Sequence, residues 1–121
     1  MTEATHPKTP RIIDDDAYHA LRDGDLAAFH RAIQGRDEID FGDCDLRGVD
    51  LHGADLSRVR LTGAYLRDAD LRGQDLRRHD LAGCSLFKAR ISGVFFPDNL
   101  SSEEIRLSVE HGTRLRARRR D

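Results

Sequence analysis

A large apolar residue recurs at every fifth position through the middle of this 121-residue chain. The members of this central column are Phe41, Leu46, Leu51, Leu56, Leu61, Leu66, Leu71, Leu76, Leu81, Leu86, Ile91 and Phe96. A second column lies two residues earlier, from Ile39 to Val94, and is mostly small and apolar except at Gln74 and His79. Aspartate recurs between the columns, and glycine recurs two residues after the central position. An internal period of this kind restricts the fold more than any other feature of the chain.

The period of five excludes a helix for this region. Five residues advance about 500° around a helix, or about 140° past a full turn. Successive central residues would therefore scatter around the cylinder instead of forming one apolar stripe. A glycine in most repeats would also cost roughly 1 kcal/mol each relative to alanine.

An extended conformation accounts for the same pattern. The small residue, the aspartate and the central residue alternate in, out and in, as in a strand. The next two residues can turn a corner, where glycine accepts unusual dihedral angles. Each quintet then forms one short side of a coil whose central residues point inward. Coils stacked about 4.8 Å apart would bury a continuous apolar column.

Several segments resemble one known repeat, A-(D/N)-L-X-X. Ala54–Arg58, Ala64–Asp68 and Ala69–Gly73 carry it, and the resemblance to the pentapeptide-repeat family covers about residues 39–96. It implies a right-handed, four-sided β-helix with about twenty residues per coil; the period of five does not by itself supply the number of sides. The fold class we expect is mainly β: a right-handed quadrilateral β-helix solenoid of about three coils, with short α-helical caps at both ends.

The flanking segments predict the two caps. We expect one domain made of an N-terminal tail and helical cap at 1–38, the β-helix at 39–97, a capping helix at 98–113 and a disordered basic tail at 114–121. Two short helices are predicted within 14–35, the second capped by Asp25. Ser101 and Glu104 have the spacing of a capping box, and Gly112 suits a helix end.

The charge distribution does not favour a polyanionic or membrane partner. The formal net charge is -2, so no strong overall field surrounds the protein. No run approaches the roughly 18 apolar residues of a membrane span, and Met1–Pro10 lacks the apolar centre of a signal peptide. We expect a cytoplasmic protein that does not contact a membrane.

No motif with the spacing of a catalytic or metal site is found. There is no glycine-rich phosphate loop, no His-Glu-x-x-His and no nucleophile elbow. Asp50 and Asp70 are twenty residues apart and should stack in neighbouring coils. Because Arg72 lies nearby, we favour a solvent-exposed ladder of carboxylates over a carboxylate pair for catalysis or metal binding. We therefore predict a protein that is not an enzyme, with no catalytic residue, no cofactor and no metal.

Four inward-facing residues of the small column carry polar or thiol groups. Cys44 and Cys84 are forty residues apart, which places them about 10 Å from each other. A disulfide needs Cα atoms within about 7 Å, so we predict two buried, unpaired, reduced thiols. Gln74 and His79 either bond to neighbouring backbone, which we favour, or line a polar gap that admits a ligand.

A face for a protein partner is the leading functional hypothesis. Residues twenty apart should stack, which places Arg47, Arg67 and Phe87 in one column and Tyr65 in the next. Arginine and aromatic residues are enriched at interfaces, so Arg47, Tyr65, Arg67 and Phe87 form the candidate partner-binding face. The competing interpretation is that the C-terminal segment covers Phe87. The sequence leaves open whether the chain is a monomer or a homodimer.

Nucleic-acid mimicry and binding are the alternatives. Some pentapeptide-repeat proteins modulate DNA gyrase by imitating duplex DNA, and those resemble long acidic rods. Residues 41–96 here carry eight acids and nine bases, which matches that charge poorly. The basic tail, Arg114–Arg120, would bind nucleic acid only weakly and with steep salt dependence.

Overall fold

The computed structural model describes residues 9–119. Within this part of the chain lie three helices and one two-stranded parallel sheet. Their bounds are α1 Asp16–Arg22, α2 Leu26–Ala32, β1 Ile39–Asp40, β2 Val59–Arg60 and α3 Ser102–His111. In the sheet, Ile39 lies opposite Val59 and Asp40 opposite Arg60. No helix among these residues is long and apolar enough to cross a membrane.

The fold-class prediction, a mainly β chain forming a right-handed quadrilateral β-helix solenoid, is wrong. Helices contribute 22% of the structure, and the strands together with the isolated bridges contribute 14%, so helix outweighs strand. The reason is visible at the corners of the repeat. At eleven successive corners, from Cys44 to Val94, the N–H of the small residue donates to the carbonyl of the central residue three positions earlier, at 2.8–3.2 Å. These turns leave extended stretches of no more than two residues.

The turns stack with a register of twenty residues. Single parallel bridges join pairs such as Asp45 and Tyr65, Asp50 and Asp70, and Asp75 and Phe95. We call residues 39–98 the repeat stack, and residues about twenty apart lie in adjacent tiers of it. The inward orientation of the central column is confirmed, because its first ten members are at most 2% exposed. The last two, Ile91 and Phe96, are only partly buried, at the end of the stack.

Two short helices pack at the beginning of the stack. The Asp15 carboxylate accepts from the N–H groups of Ala17 and Tyr18 at the start of α1, and the predicted cap Asp25 does the same for α2 through Ala28. The Tyr18 ring meets Phe41 edge-on, with ring centroids 5.6 Å apart. Its hydroxyl donates to the Asp45 carbonyl at 2.8 Å, so α1 is bonded as well as packed onto the stack.

The α3 helix covers the other end and begins as predicted. The Ser101 hydroxyl oxygen accepts from the Glu104 N–H at 3.1 Å, and Gly112 ends the helix in a left-handed conformation. The second half of the expected capping box is wrong, because the Glu104 carboxylate instead accepts from the backbone N–H and the guanidinium of Arg116. An arginine is a stronger partner for a carboxylate than a neutral backbone N–H.

The expectation of a disordered basic tail is wrong for its first residues. Arg114 bridges Ser85 in antiparallel orientation, and the Leu115 N–H donates to the Cys84 carbonyl at 2.8 Å. Leu115 is 2% exposed, so an apolar side chain anchors this segment. The basic composition of the segment gave no indication of this contact. Arg118 continues the contact by donating to the Asn99 carbonyl. Arg120 lies outside the described residues.

Candidate functional site

Each aspartate that lies between the small column and the central column closes its own corner with a local hydrogen bond. In all seven cases the Oδ1 atom accepts from the N–H two residues later, at 2.8–3.2 Å, and the residues concerned are Asp40, Asp45, Asp50, Asp55, Asp70, Asp75 and Asp80. Aspartate is favoured at turns because its short side chain reaches this N–H. Sequence reasoning predicted the stacking of these residues, which the Asp50–Asp70 bridge confirms, but missed the local bond.

Three of these aspartates also bind the arginine two residues later. Arg72 donates to both oxygens of Asp70 at 2.9 and 2.7 Å, and Arg77 does the same for Asp75 at 2.9 and 2.8 Å. The paired guanidinium groups lower the pKa of Asp70 and of Asp75 to about 2. The carboxylates are therefore ionised partners of arginine, and no group of acids, histidines and cysteines in residues 9–119 could hold a metal ion.

The structure brings two of the four predicted face residues into contact. The Arg67 guanidinium lies 5.0 Å from the centroid of the Phe87 ring, and the Lys88 ammonium lies 5.2 Å from it. Arg47 is exposed but binds both oxygens of Asp45. Arg67 and Phe87 thus form a cation–π cluster with Lys88, a neighbour that the spacing argument did not include.

Tyr65 is held separately, in the adjacent column. Arg114 lies 4.8 Å from the Tyr65 ring centroid and donates to its hydroxyl at 2.7 Å. Gly112 lies so close to Phe87 that a Cβ there would be 3.4 Å from the ring. The interpretation that the C-terminal segment covers Phe87 is therefore correct for one side of the ring. No sequence signal could place Arg114 on Tyr65, because 49 residues separate them.

The hydrogen-bond ladder between tiers is interrupted along one stretch. Elsewhere the main-chain N–H groups donate to carbonyls nineteen residues later, as from Leu51 to Asp70 at 2.8 Å and from Gly63 to Ala82 at 2.9 Å. Among the residues described, four successive donors between these two make no such bond: Gly53, Leu56, Arg58 and Leu61. We call residues 53–61 and the facing residues 72–80 the seam.

Two polar residues of the small column explain the seam. Gln74 Nε2 donates to the carbonyls of Leu51 and Ala54 at 2.7 and 2.8 Å, and His79 Nε2 lies 2.8 Å from the Leu56 carbonyl. The favoured prediction that both bond to neighbouring backbone is thus confirmed. Most other positions of this column hold alanine, valine or cysteine. Beside these two larger side chains, bonds from the side chains to the preceding tier stand where main-chain bonds are missing, while His79 Nδ1 is buried without a partner.

Cys44 and Cys84 are both buried free thiols, as predicted. The Cys84 Sγ atom donates to the Leu61 carbonyl at 3.0 Å, a contact like those of Gln74 and His79 but from a smaller group. Burial raises the pKa of Cys44 to about 11 and that of Cys84 to about 12. Both therefore remain protonated at neutral pH, which suits packing rather than nucleophilic chemistry.

The repeat stack coincides with the region that matches a known family. The model of the family described as pentapeptide repeats matches residues 37–63 and 64–98, with eight copies of the repeat. Together these segments cover more than half of the chain. No curated protein and no solved structure matches it significantly. The chain therefore belongs to the pentapeptide-repeat family.

Proposed function

We propose that this protein is a non-enzymatic module that binds another protein through the face around Arg67 and Phe87. The observation that carries the proposal is the cation–π cluster, in which Arg67 and Lys88 both lie about 5 Å from the Phe87 ring. Arginine and aromatic side chains contribute most to interface energies when a partner excludes water from them. A partner with a carboxylate opposite Arg67 and an apolar group against Phe87 would suit this face.

The backbone beneath this face supports the same function. Main-chain hydrogen bonds run from Gly48 to Arg67 and from Asp68 to Phe87, at 2.8 and 2.9 Å. The backbone that carries the cluster is therefore held by the uninterrupted part of the ladder. Gly112 restricts Phe87 on its other side. Side chains that are already ordered lose less entropy on binding. Arg47 and Tyr65, which complete the proposed face, are likewise fixed by Asp45 and Arg114.

Photo-crosslinking in the native cell tests the proposal. A crosslinking residue at Asp68, which is exposed beside the cluster, should capture a partner, whereas one at the exposed Ser92 should not. With that partner purified, Arg67→Glu should weaken binding at least about tenfold, because it places an acid opposite the partner's carboxylate. Arg90→Glu, at an arginine that is also exposed but lies in the Asp50–Asp70 column, is the matched control.

Equal binding by the two charge-reversed variants would contradict the proposed face, as would capture only from Ser92. Circular dichroism of both variants should first show the wild-type spectrum. Mimicry of duplex DNA, the alternative function, is not proposed, because the repeat region carries nearly balanced charges rather than an acidic surface.

A further inference from the structure

A groove of about 400 Å³ opens beside the seam. Residues from three adjacent tiers line it, among them Arg58, Leu61, Arg78, His79 and Asp80. The groove lies where the ladder is missing, since the carbonyl and N–H of Asp80 would otherwise bond to the Leu61 N–H and the Val59 carbonyl. The groove therefore lies beside His79, one of the two large polar residues of the small column.

Two backbone donors in the groove lack the partners that their equivalents have. In the neighbouring quintets, the Leu66 N–H donates to the Ser85 carbonyl and the Ser85 N–H donates to the Ala64 carbonyl, at 2.9 and 3.3 Å. The N–H groups of Leu61 and Asp80 occupy the corresponding places. Among residues 9–119 neither has a hydrogen-bond acceptor. The Asp80 carbonyl is used differently, by the Thr62 hydroxyl at 3.1 Å.

Arg78 is the arginine of the groove that remains available. Arg58 donates to the Arg36 carbonyl at 2.7 Å, and Arg60 binds Asp40 at 3.0 Å. Arg78 is exposed and makes neither a hydrogen bond nor an ion pair with any described residue. Leu61, Asp80 and Arg78 thus all line the groove, and these donors have no acceptor among residues 9–119.

The acidic residues of the groove lie away from these donors or have a partner. Asp37 and Glu38 line its far end, and Glu38 lies two tiers from Arg78, or about 10 Å at the usual spacing. The Asp80 carboxylate accepts from the Ala82 N–H at 3.0 Å. At this end Arg58 and Arg78 contribute two positive charges against the one negative charge of Asp80, so it is the end better suited to an anion.

We propose that this end of the groove binds the phosphate group of a small molecule. The Arg78 guanidinium and the N–H groups of Leu61 and Asp80 come from separate segments, which suits the three oxygens of a tetrahedral anion better than the two of a carboxylate. His79 takes no part in this contact, because its Nε2 donates to the Leu56 carbonyl and its Nδ1 is buried.

Titration of the ¹⁵N-labelled full chain with inorganic phosphate tests this site. At constant ionic strength and pH, the amide signals of Leu61 and Asp80 should shift and saturate. Arg78→Gln should weaken the binding at least about tenfold, the loss expected for a charge-assisted contact. Arg90→Gln, exposed and likewise without an ion-pair partner, should bind as the wild type does. Acetate at the same concentration should produce smaller shifts.

A second variant separates the site from general charge effects. Gln74→Ala combined with His79→Ala should let the ladder close across the seam, removing the free donors while keeping every arginine. Saturable binding should then disappear from a folded protein. The proposal is overturned if this variant binds phosphate as well as the wild type, if Arg78→Gln and Arg90→Gln behave alike, or if no saturable shift occurs below about 10 mM phosphate.

Discussion

His79 donates from Nε2 to the Leu56 carbonyl, 23 residues earlier, at 2.8 Å. Gln74 makes the same contact with Leu51, and Cys84 makes it with Leu61. The inward side chain of one quintet thus reaches the central carbonyl of the preceding tier. The main-chain hydrogen-bond ladder is interrupted beside the large side chains of Gln74 and His79, but it resumes beside the smaller side chain of Cys84. We infer that the size of the inward side chain determines whether the main-chain bonds form.

Replacing both large residues with alanine should repair the ladder. The Gln74→Ala/His79→Ala variant loses side-chain bonds but gains main-chain bonds of similar net value, about 1 kcal/mol each, and no longer buries an unpaired nitrogen. We expect its free energy of unfolding, measured in urea, to equal or exceed that of the wild type. Amide exchange at Leu56 and Leu61 should slow.

Cys84→Ala is the control for this experiment, because it removes a comparable contact where the ladder is already formed. It should lower the free energy of unfolding by about 1 kcal/mol. A double variant destabilised by more than about 2 kcal/mol, with unchanged exchange at the seam, would show that the two side chains do not hold the tiers apart.

Acid should weaken the fold through the arginine-bound aspartates. Asp70 and Asp75 have pKa values of about 2 in the folded protein, against an ordinary value of 3.8. Because the folded pKa is depressed, their stabilising contribution is complete above pH 3.8 and is lost as the pH falls towards 2. The thermal midpoint should therefore fall more steeply below pH 4 than between pH 6 and 4.

Asp70→Asn/Asp75→Asn should flatten this acid dependence while retaining an oxygen for the corner bond. Asp23→Asn, which changes an exposed aspartate without an ion-pair partner in the described structure, should leave the slope unchanged. An identical slope in the wild type and the double variant would mean that the arginine pairs do not contribute to acid sensitivity.

The two thiols should be unreactive until the protein unfolds. Burial keeps the pKa of Cys44 near 11 and that of Cys84 near 12, and thiolates are the reactive species. With a disulfide reagent at pH 8, we expect no fast phase from native protein and two equivalents of reaction in denaturant. Fast native labelling of either cysteine would contradict its buried position.

Leu115 should anchor the C-terminal segment. It is 2% exposed, and truncation of such a residue to alanine usually costs about 2–5 kcal/mol. We expect Leu115→Ala to lower the free energy of unfolding within or just below this range and to release Arg114 from Tyr65, which tyrosine fluorescence would report. Arg119→Ala, at an exposed position, should change stability by no more than about 0.5 kcal/mol.

The sequence by itself determined the features that depend on local period. The central column from Phe41 to Leu86 is buried, Cys44 and Cys84 are too far apart to pair, and Ser101 begins a helix, as the spacing predicts. Each follows from which residues alternate, how far apart they lie and which side chain can cap a neighbour. The resemblance to the family added the register of twenty residues, which the bridges show.

Only the tertiary structure decided the rest. The corner bonds limit regular strand to two-residue stretches, and the main-chain ladder is interrupted beside Gln74 and His79. The Glu104 carboxylate binds Arg116 instead of capping its own helix, and Arg114 stacks on Tyr65. These outcomes depend on competition between partners far apart in sequence. A periodic pattern records which side chains face inward, but not how much space the next tier leaves for them.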